Sequence, residues 1–209
     1  MKQWKKAIGI VLAGVVLLTG IALPKNNAMA DGKNYGIQSP RVANGVTTWD
    51  KIKFGSYNQE GTFRAEPIKW RVLSVDGDDA LLLADQCLDA RAYHDEKDEK
   101  ITWENCTLRK WLNEEFYNTV FTEEEKKAVK ETTVVNEDNV YKDVDGEEYK
   151  VEGGNDTKDK VYLLSDKEAS NSTYGFDTEF EKSNTRQAKT SDYVKAKKVN
   201  GGDSEGMYC

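Results

Sequence analysis

Residues 51–84 read KIKFGSYNQEGTFRAEPIKWRVLSVDGDDALLLA, and they decide the fold. Ile52 and Phe54 alternate with Lys51 and Lys53 before Gly55, the period-two pattern of a half-buried strand. Ile68, Trp70 and Val72 alternate with Lys69 and Arg71 in a second strand. Asp76-Gly77-Asp78-Asp79 is turn chemistry, and Ala80 to Ala84 is a third strand, apolar at every position and therefore buried. The three together predict an antiparallel meander.

Beyond it, His94 to Lys100 is almost wholly charged and reads as a solvated loop. The period then becomes helical. Leu108, Trp111, Leu112, Phe116 and Val120 share one face, with Asn105 or Thr107 as the cap. Thr122 and Glu125 form a capping box that opens a second short helix to about Lys130. Thr132–Val135 and Tyr149–Val151 are expected strands around a polar excursion, and Lys160–Leu164 is a further strand. Ser165 and Glu168 make another capping box. From Asp177 the chain is polar, with Tyr193, Val194 and Val199 as its apolar anchors, and reads as a long loop.

The N-terminus differs in kind. Lys2, Lys5 and Lys6 precede an uncharged apolar run from Ala7 to Leu23, Pro24 breaks it, and Ala28-Met29-Ala30 supplies a small-x-small cleavage pattern. Residues 1–30 are expected to be a secretory signal peptide cut after Ala30, against the alternative of an uncleaved membrane anchor. Residues 31–48 are expected to be a polar leader linker, and 49–209 a single domain. Without the four lysines of residues 1–30, 26 bases face 37 acids, a formal charge of −11. An acidic chain of this kind does not suit sequence-independent nucleic-acid binding, which needs a basic face.

Chemistry is hard to find. Asp143, Asp145, Gly146 and Glu152 mimic part of an EF-hand loop, but Tyr141 stands where its first carboxylate belongs, and an Asp145-Gly146 hairpin turn explains the segment better. His94 is the single histidine, and there is no C-x-x-C pair, so neither a zinc site nor a histidine-based triad is expected. Cys87 and Cys106 are a candidate disulfide, with two buried thiols as the equal alternative, and Cys209 is an odd terminal cysteine. No catalytic residue, metal or cofactor is expected. Among the aromatics, Trp70 and Trp111 fall at core positions, whereas Trp103 lies beside the charged loop and is the candidate ligand-binding residue.

The block Thr102-Trp103-Glu104-Asn105-Cys106-Thr107-Leu108-Arg109-Lys110-Trp111-Leu112-Asn113 carries a resemblance. Ile52-x-Phe54-Gly55-x-Tyr57, Pro67-Ile68-x-Trp70-x-Val72-Leu73, Leu88-Asp89 and Asp159-Lys160-Val161-Tyr162-Leu163-Leu164-Ser165-x-x-Glu168-Ala169 extend it in order. Residues 49–209 resemble a bacterial extracytoplasmic family, domain of unknown function family 6273. The resemblance implies secreted or surface proteins of Gram-positive bacteria and a C-type-lectin-like fold shared with formylglycine-generating enzymes, whose catalytic cysteine pair has no counterpart here. The family's sequences continue past a tyrosine like Tyr208 into closing strands. The resemblance therefore implies a domain incomplete at its C-terminus.

The expectation is an α+β domain: an antiparallel sheet with two short helices packed on it. Its expected function is non-enzymatic recognition of glycan or of a surface protein at the cell envelope. The alternatives are an extracytoplasmic enzyme, either oxidative or carboxylate-dependent, and a purely structural module held by its tryptophans and Arg109.

Overall fold

The computed structural model describes residues 17–19, 37, 40–96, 100–143, 145–178 and 185–197. Strands β1 (Leu17–Thr19), β2 (Arg41–Ala43), β3 (Val46–Thr48), β4 (Ile52–Tyr57), β5 (Glu66–Asp76), β6 (Asp79–Ala84) and β7 (Gln86–Cys87) come first. A helical stretch follows: α1 (Thr107–Trp111), a π-helical turn (Leu112–Phe116), α2 (Tyr117–Val120) and, after a break, α3 (Glu123–Ala128). Then come β8 (Thr132–Val134), β9 (Asn139–Lys142), β10 (Glu148–Val151), β11 (Thr157–Asp159), β12 (Val161–Tyr162), α4 (Asp166–Ala169), β13 (Lys189–Thr190) and α5 (Asp192–Ala196). The protein is α+β, as expected.

The predicted meander is the heart of an antiparallel sheet in the order β12-β1-β6-β5-β4. β6 lies in its interior, paired on both edges, which explains why Ala80 to Ala84 are all buried and why no polar residue interrupts them. β4 carries one extra residue between Lys53 and Ser56. The bulge is held from both sides: the Trp70 indole N–H donates to the Phe54 carbonyl at 2.6 Å, and the Gly55 N–H donates to Glu125 Oε1 at 3.1 Å. Glu125 Oε2 meanwhile accepts from the Thr122 N–H and hydroxyl, each at 3.0 Å, so the expected capping box also fastens α3 to the sheet. Phe121 stacks on Phe54 at 5.2 Å and Phe116 on Tyr57 at 5.2 Å, which seats the helical stretch on β4.

Four expectations are corrected. Residues 41–48 are not linker: β2 and β3 pair as a hairpin through Asn44-Gly45, whose φ values of 51° and 78° are those of a turn matched to strand twist. The cap of α1 is neither Asn105 nor Thr107. Cys106 fills it, its Sγ accepting the Arg109 N–H at 3.4 Å. The strand expected over Lys160–Leu164 shrinks to Val161–Tyr162, because the Lys160 N–H turns to Asn113 at 2.8 Å and Ser165 caps α4. The polar tail is anchored as far as residue 197: β13 pairs in parallel with β7, and Val194 is 1% exposed.

The leader's Ala28 and Ala30 lie outside the described residues, as do Val199, Tyr208 and Cys209, so the expected C-terminal incompleteness falls there too. Among the described residues, no helix is long and apolar enough to cross a membrane.

Gly55 has a φ of +65°, and a Cβ there would lie 2.6–2.8 Å from Phe121 and Val120. Gly77 has a φ of +58° with nothing within 4 Å. Gly55→Ala is expected to cost about 3 kcal/mol in urea unfolding, backbone strain plus overpacking, and Gly77→Ala about 1 kcal/mol, strain alone. Equal losses would show that the bulge tolerates a side chain.

Candidate functional site

The resemblance block folds into a latch. Its centre is Asp159, at the end of β11 and 1% exposed. Asp159 Oδ2 accepts from the Trp103 indole N–H at 2.9 Å and the Thr157 hydroxyl at 2.6 Å, while Oδ1 accepts from Arg109 Nε at 2.7 Å. Arg109 spends its remaining nitrogens on the carbonyls of Glu104 (3.0 Å) and Lys158 (3.3 Å). One turn on, Asn113 donates to the carbonyls of Arg109 (3.1 Å) and Val161 (2.9 Å), and its Oδ1 accepts the N–H groups of Lys160 and Val161. Arg109 and Asn113 are i, i+4 neighbours on one helix face, so a single face binds β11 and β12 together.

Trp103 is therefore not a ligand platform. It is 8% exposed, its polar edge is consumed by Asp159, and Tyr93 packs beside it at 6.4 Å. Trp70 is fully buried, and Leu108 and Leu112 belong to the same core. Trp111 packs on Phe116 and carries the Arg91 guanidinium 4.0 Å above its ring. Glu104 accepts from Asn155 at 2.9 Å.

The candidate disulfide is corrected as well. Cys106 is a free, buried thiol, because its position as the cap of α1 points its sulfur into the helix and toward Tyr93. Cys87 is disulfide-bonded, and its partner is not among the described residues. Burial pushes the Cys106 thiol above its ordinary range, which suppresses the thiolate a nucleophile needs. His94 accepts the Thr107 N–H at 3.3 Å, at the start of the same helix.

A cleft of about 530 Å3 lies over the latch. Its charged lining is balanced, with Arg109, Lys110, Lys158 and Lys160 against Glu104, Glu114, Glu131 and Asp159. No group of three or more His, Cys, Asp or Glu able to hold a metal occurs among the described residues. The cleft offers polar contacts without an activated nucleophile.

Sequence reasoning passed over another surface. β9 and β10 form a two-stranded ribbon with Tyr141 directly opposite Tyr149, their ring centroids 5.8 Å apart. Tyr149 is 50% exposed, and Val151, two residues along on the same face, 46%. The ribbon turns where Asp145-Gly146 predicted: Asp143 Oδ1 accepts the N–H groups of Asp145 (2.9 Å) and Glu147 (3.0 Å), which commits that carboxylate to the turn. Tyr141 donates its hydroxyl to Asp166 at the start of α4. Desolvation and that carboxylate push the Tyr141 phenol up to about 12. The missed signal was the Tyr-x7-Tyr spacing across a DG turn, which sets two aromatics opposite each other.

Residues 77–206 match the family described as Domain of unknown function (DUF6273), a span that holds the whole latch and the ribbon. No curated protein and no solved structure matches the chain.

Two predictions test the latch. Asp159→Ala leaves Arg109 without its buried partner and is expected to cost about 3–5 kcal/mol in chemical denaturation. Trp103→Phe, which loses one hydrogen bond to a charged group, is expected to cost about 1.5–3 kcal/mol. A loss under 1 kcal/mol for Asp159→Ala would show that the latch is not structural. Because the folded-state pKa of Cys106 is raised, the stability it contributes is complete below the unfolded thiol's ordinary value. It is lost as pH rises from there through the raised folded value. Cys106→Ser is expected to flatten that alkaline decline, and an unchanged slope would contradict the assignment.

Proposed function

We propose, for a chain that belongs to the DUF6273 family, a non-enzymatic recognition module working at or outside the cell envelope, with glycan held on the aromatic face of the β9–β10 ribbon. The observation that carries this reading is the exposed Tyr141–Tyr149 pair. Paired aromatic rings in water are costly to display and suit the apolar C–H face of a sugar ring, while their hydroxyls and neighbouring charges suit its edge. Asp166, which accepts the Tyr141 hydroxyl, supplies a charged group beside the rings. The signal-peptide pattern of residues 1–30 and the acidic remainder support work outside the cytoplasm. A C-type-lectin-like arrangement is the architecture this reading adopts, supported by the mixed α+β build.

The test is binding to a glycan array and to isolated cell-wall material. Tyr141→Ala and Tyr149→Ala are each expected to weaken binding at least tenfold while Tm moves by only about 2–4 °C, the shift of a ~1 kcal/mol surface change. Full binding by both variants, or silence on both supports, would contradict the proposal. The secreted protein is expected to begin at Asp31 by intact mass, and a mass that includes Met1 would contradict secretion by cleavage.

A further inference from the structure

β10 has one edge on β9 and, among the described residues, no strand on the other. All four of its residues are exposed. The ribbon turn sets the phase of that open edge. The Asp143 N–H donates to the Glu147 carbonyl at 2.9 Å, so this pair bonds across the ribbon. Such bonding recurs at every second pair, which makes Tyr141/Tyr149 and Asn139/Val151 the next two. The N–H and carbonyl groups of Glu148 and Lys150 therefore point away from β9, a row of donors and acceptors on an exposed edge. Edges of this kind either carry a device against pairing or are used for it.

The charges along the edge choose among pairings with a second copy. An antiparallel two-fold seam admits only registers that set outward-bonding residues opposite each other. Lys150 opposite itself also sets Glu148 against Glu152, and Glu148 opposite itself is a like-charged pair too. The register left within the strand sets Glu148 opposite the partner's Lys150 and Lys150 opposite the partner's Glu148. Both pairs are opposite in charge, and each exchanges two main-chain hydrogen bonds. Glu148 already lies 3.4 Å from Lys142 of its own chain, so it comes to stand between two lysines. Tyr149 falls at the centre of the seam and faces the partner's Tyr149 as a non-hydrogen-bonded pair, where side chains approach most closely. The edge of β9 offers no equal. Its outward residues are Val140 and Lys142, and an opposite charge for Lys142 would have to come from Asp138. That carboxylate already holds Lys150 at 2.6 Å and the Gly153 N–H at 3.0 Å.

We propose that β10 is a self-association edge. Two copies join β10 to β10 antiparallel across a two-fold axis and form a four-stranded sheet in the order β9-β10-β10-β9. One face of that sheet carries Tyr141, Tyr149 and the same two rings of the partner in a row about 14 Å long, three strand spacings. A row of that length suits an oligosaccharide rather than a single sugar, a consequence that rests on the glycan reading above, while the dimer itself does not. Four residues a side fall short of the roughly 1,200 Å2 of a standard interface, so the dissociation constant is about 1 μM or weaker.

The experiment is sedimentation equilibrium of the full chain from micromolar to millimolar concentration, without sugar. The weight-average mass is expected to climb from 23.6 kDa toward twice that value. Glu148→Lys and Lys150→Glu each bring like charges together at both pairs, and each is expected to weaken self-association at least about tenfold. Mixed in equal amounts, the two variants present opposite charges to each other. The dimer is then expected to return, which variants that had merely unfolded would not allow. A mass that stays at 23.6 kDa at every concentration overturns the proposal. So does a dimer indifferent to both substitutions, which joins through another surface, and so does a mixture that stays monomeric. Because no sugar is present, a failure of glycan binding removes the function reading and leaves a measured dimer standing.

Discussion

A carboxylate cannot be taken out of water alone, and the structure is arranged around meeting the needs of one such group. Asp159 is surrounded by an indole N–H, a hydroxyl and a guanidinium, so its charge is matched and both its oxygens are satisfied. Those donors come from separate parts of the chain: Trp103 from the turn before the helix, Arg109 from the helix, and Thr157 from the same strand. Meeting Asp159's needs therefore fixes the helix against β11, and Asn113 extends the contact to β12. A second buried carboxylate, Glu125, does the same at the other end of the helical stretch, where it holds the β4 bulge. The sheet and helices are thus joined at two polar points with the apolar core between them.

This arrangement explains why the motif richest in recognisable residues is poor in reactive ones. Trp103, Arg109, Cys106 and Asn113 each have their polar atoms spent on the fold. The ribbon by contrast contributes little to the core and presents Tyr141 and Tyr149 outward.

The parts legible in the sequence were those whose cause is local. Alternation placed β4 to β6, reciprocal capping boxes placed the starts of α3 and α4, and Asp145-Gly146 placed the ribbon turn. The Asp159–Arg109 pair was invisible because its partners are 50 positions apart and no spacing rule connects them. Trp103 looked unexplained for the same reason: its partner lies 56 residues on. The β2–β3 hairpin was missed although Asn44-Gly45 advertises it, because its strands are only three residues each, none of them buried, and show no alternation. The wholly apolar β6 asked for a neighbour on each side, and composition alone could not say that Leu17–Thr19 would be one of them.

The claim on which the rest depends is that Arg109 and Asp159 act as one buried unit. A double-mutant cycle measures it directly: Arg109→Met, Asp159→Asn and the pair, each unfolded in urea at neutral pH. The account predicts a coupling of at least about 2 kcal/mol, because either single change strands a buried polar partner that the double change removes. Additivity within about 0.5 kcal/mol would show that the two side chains are independent and that the helix is held on the sheet by the core alone.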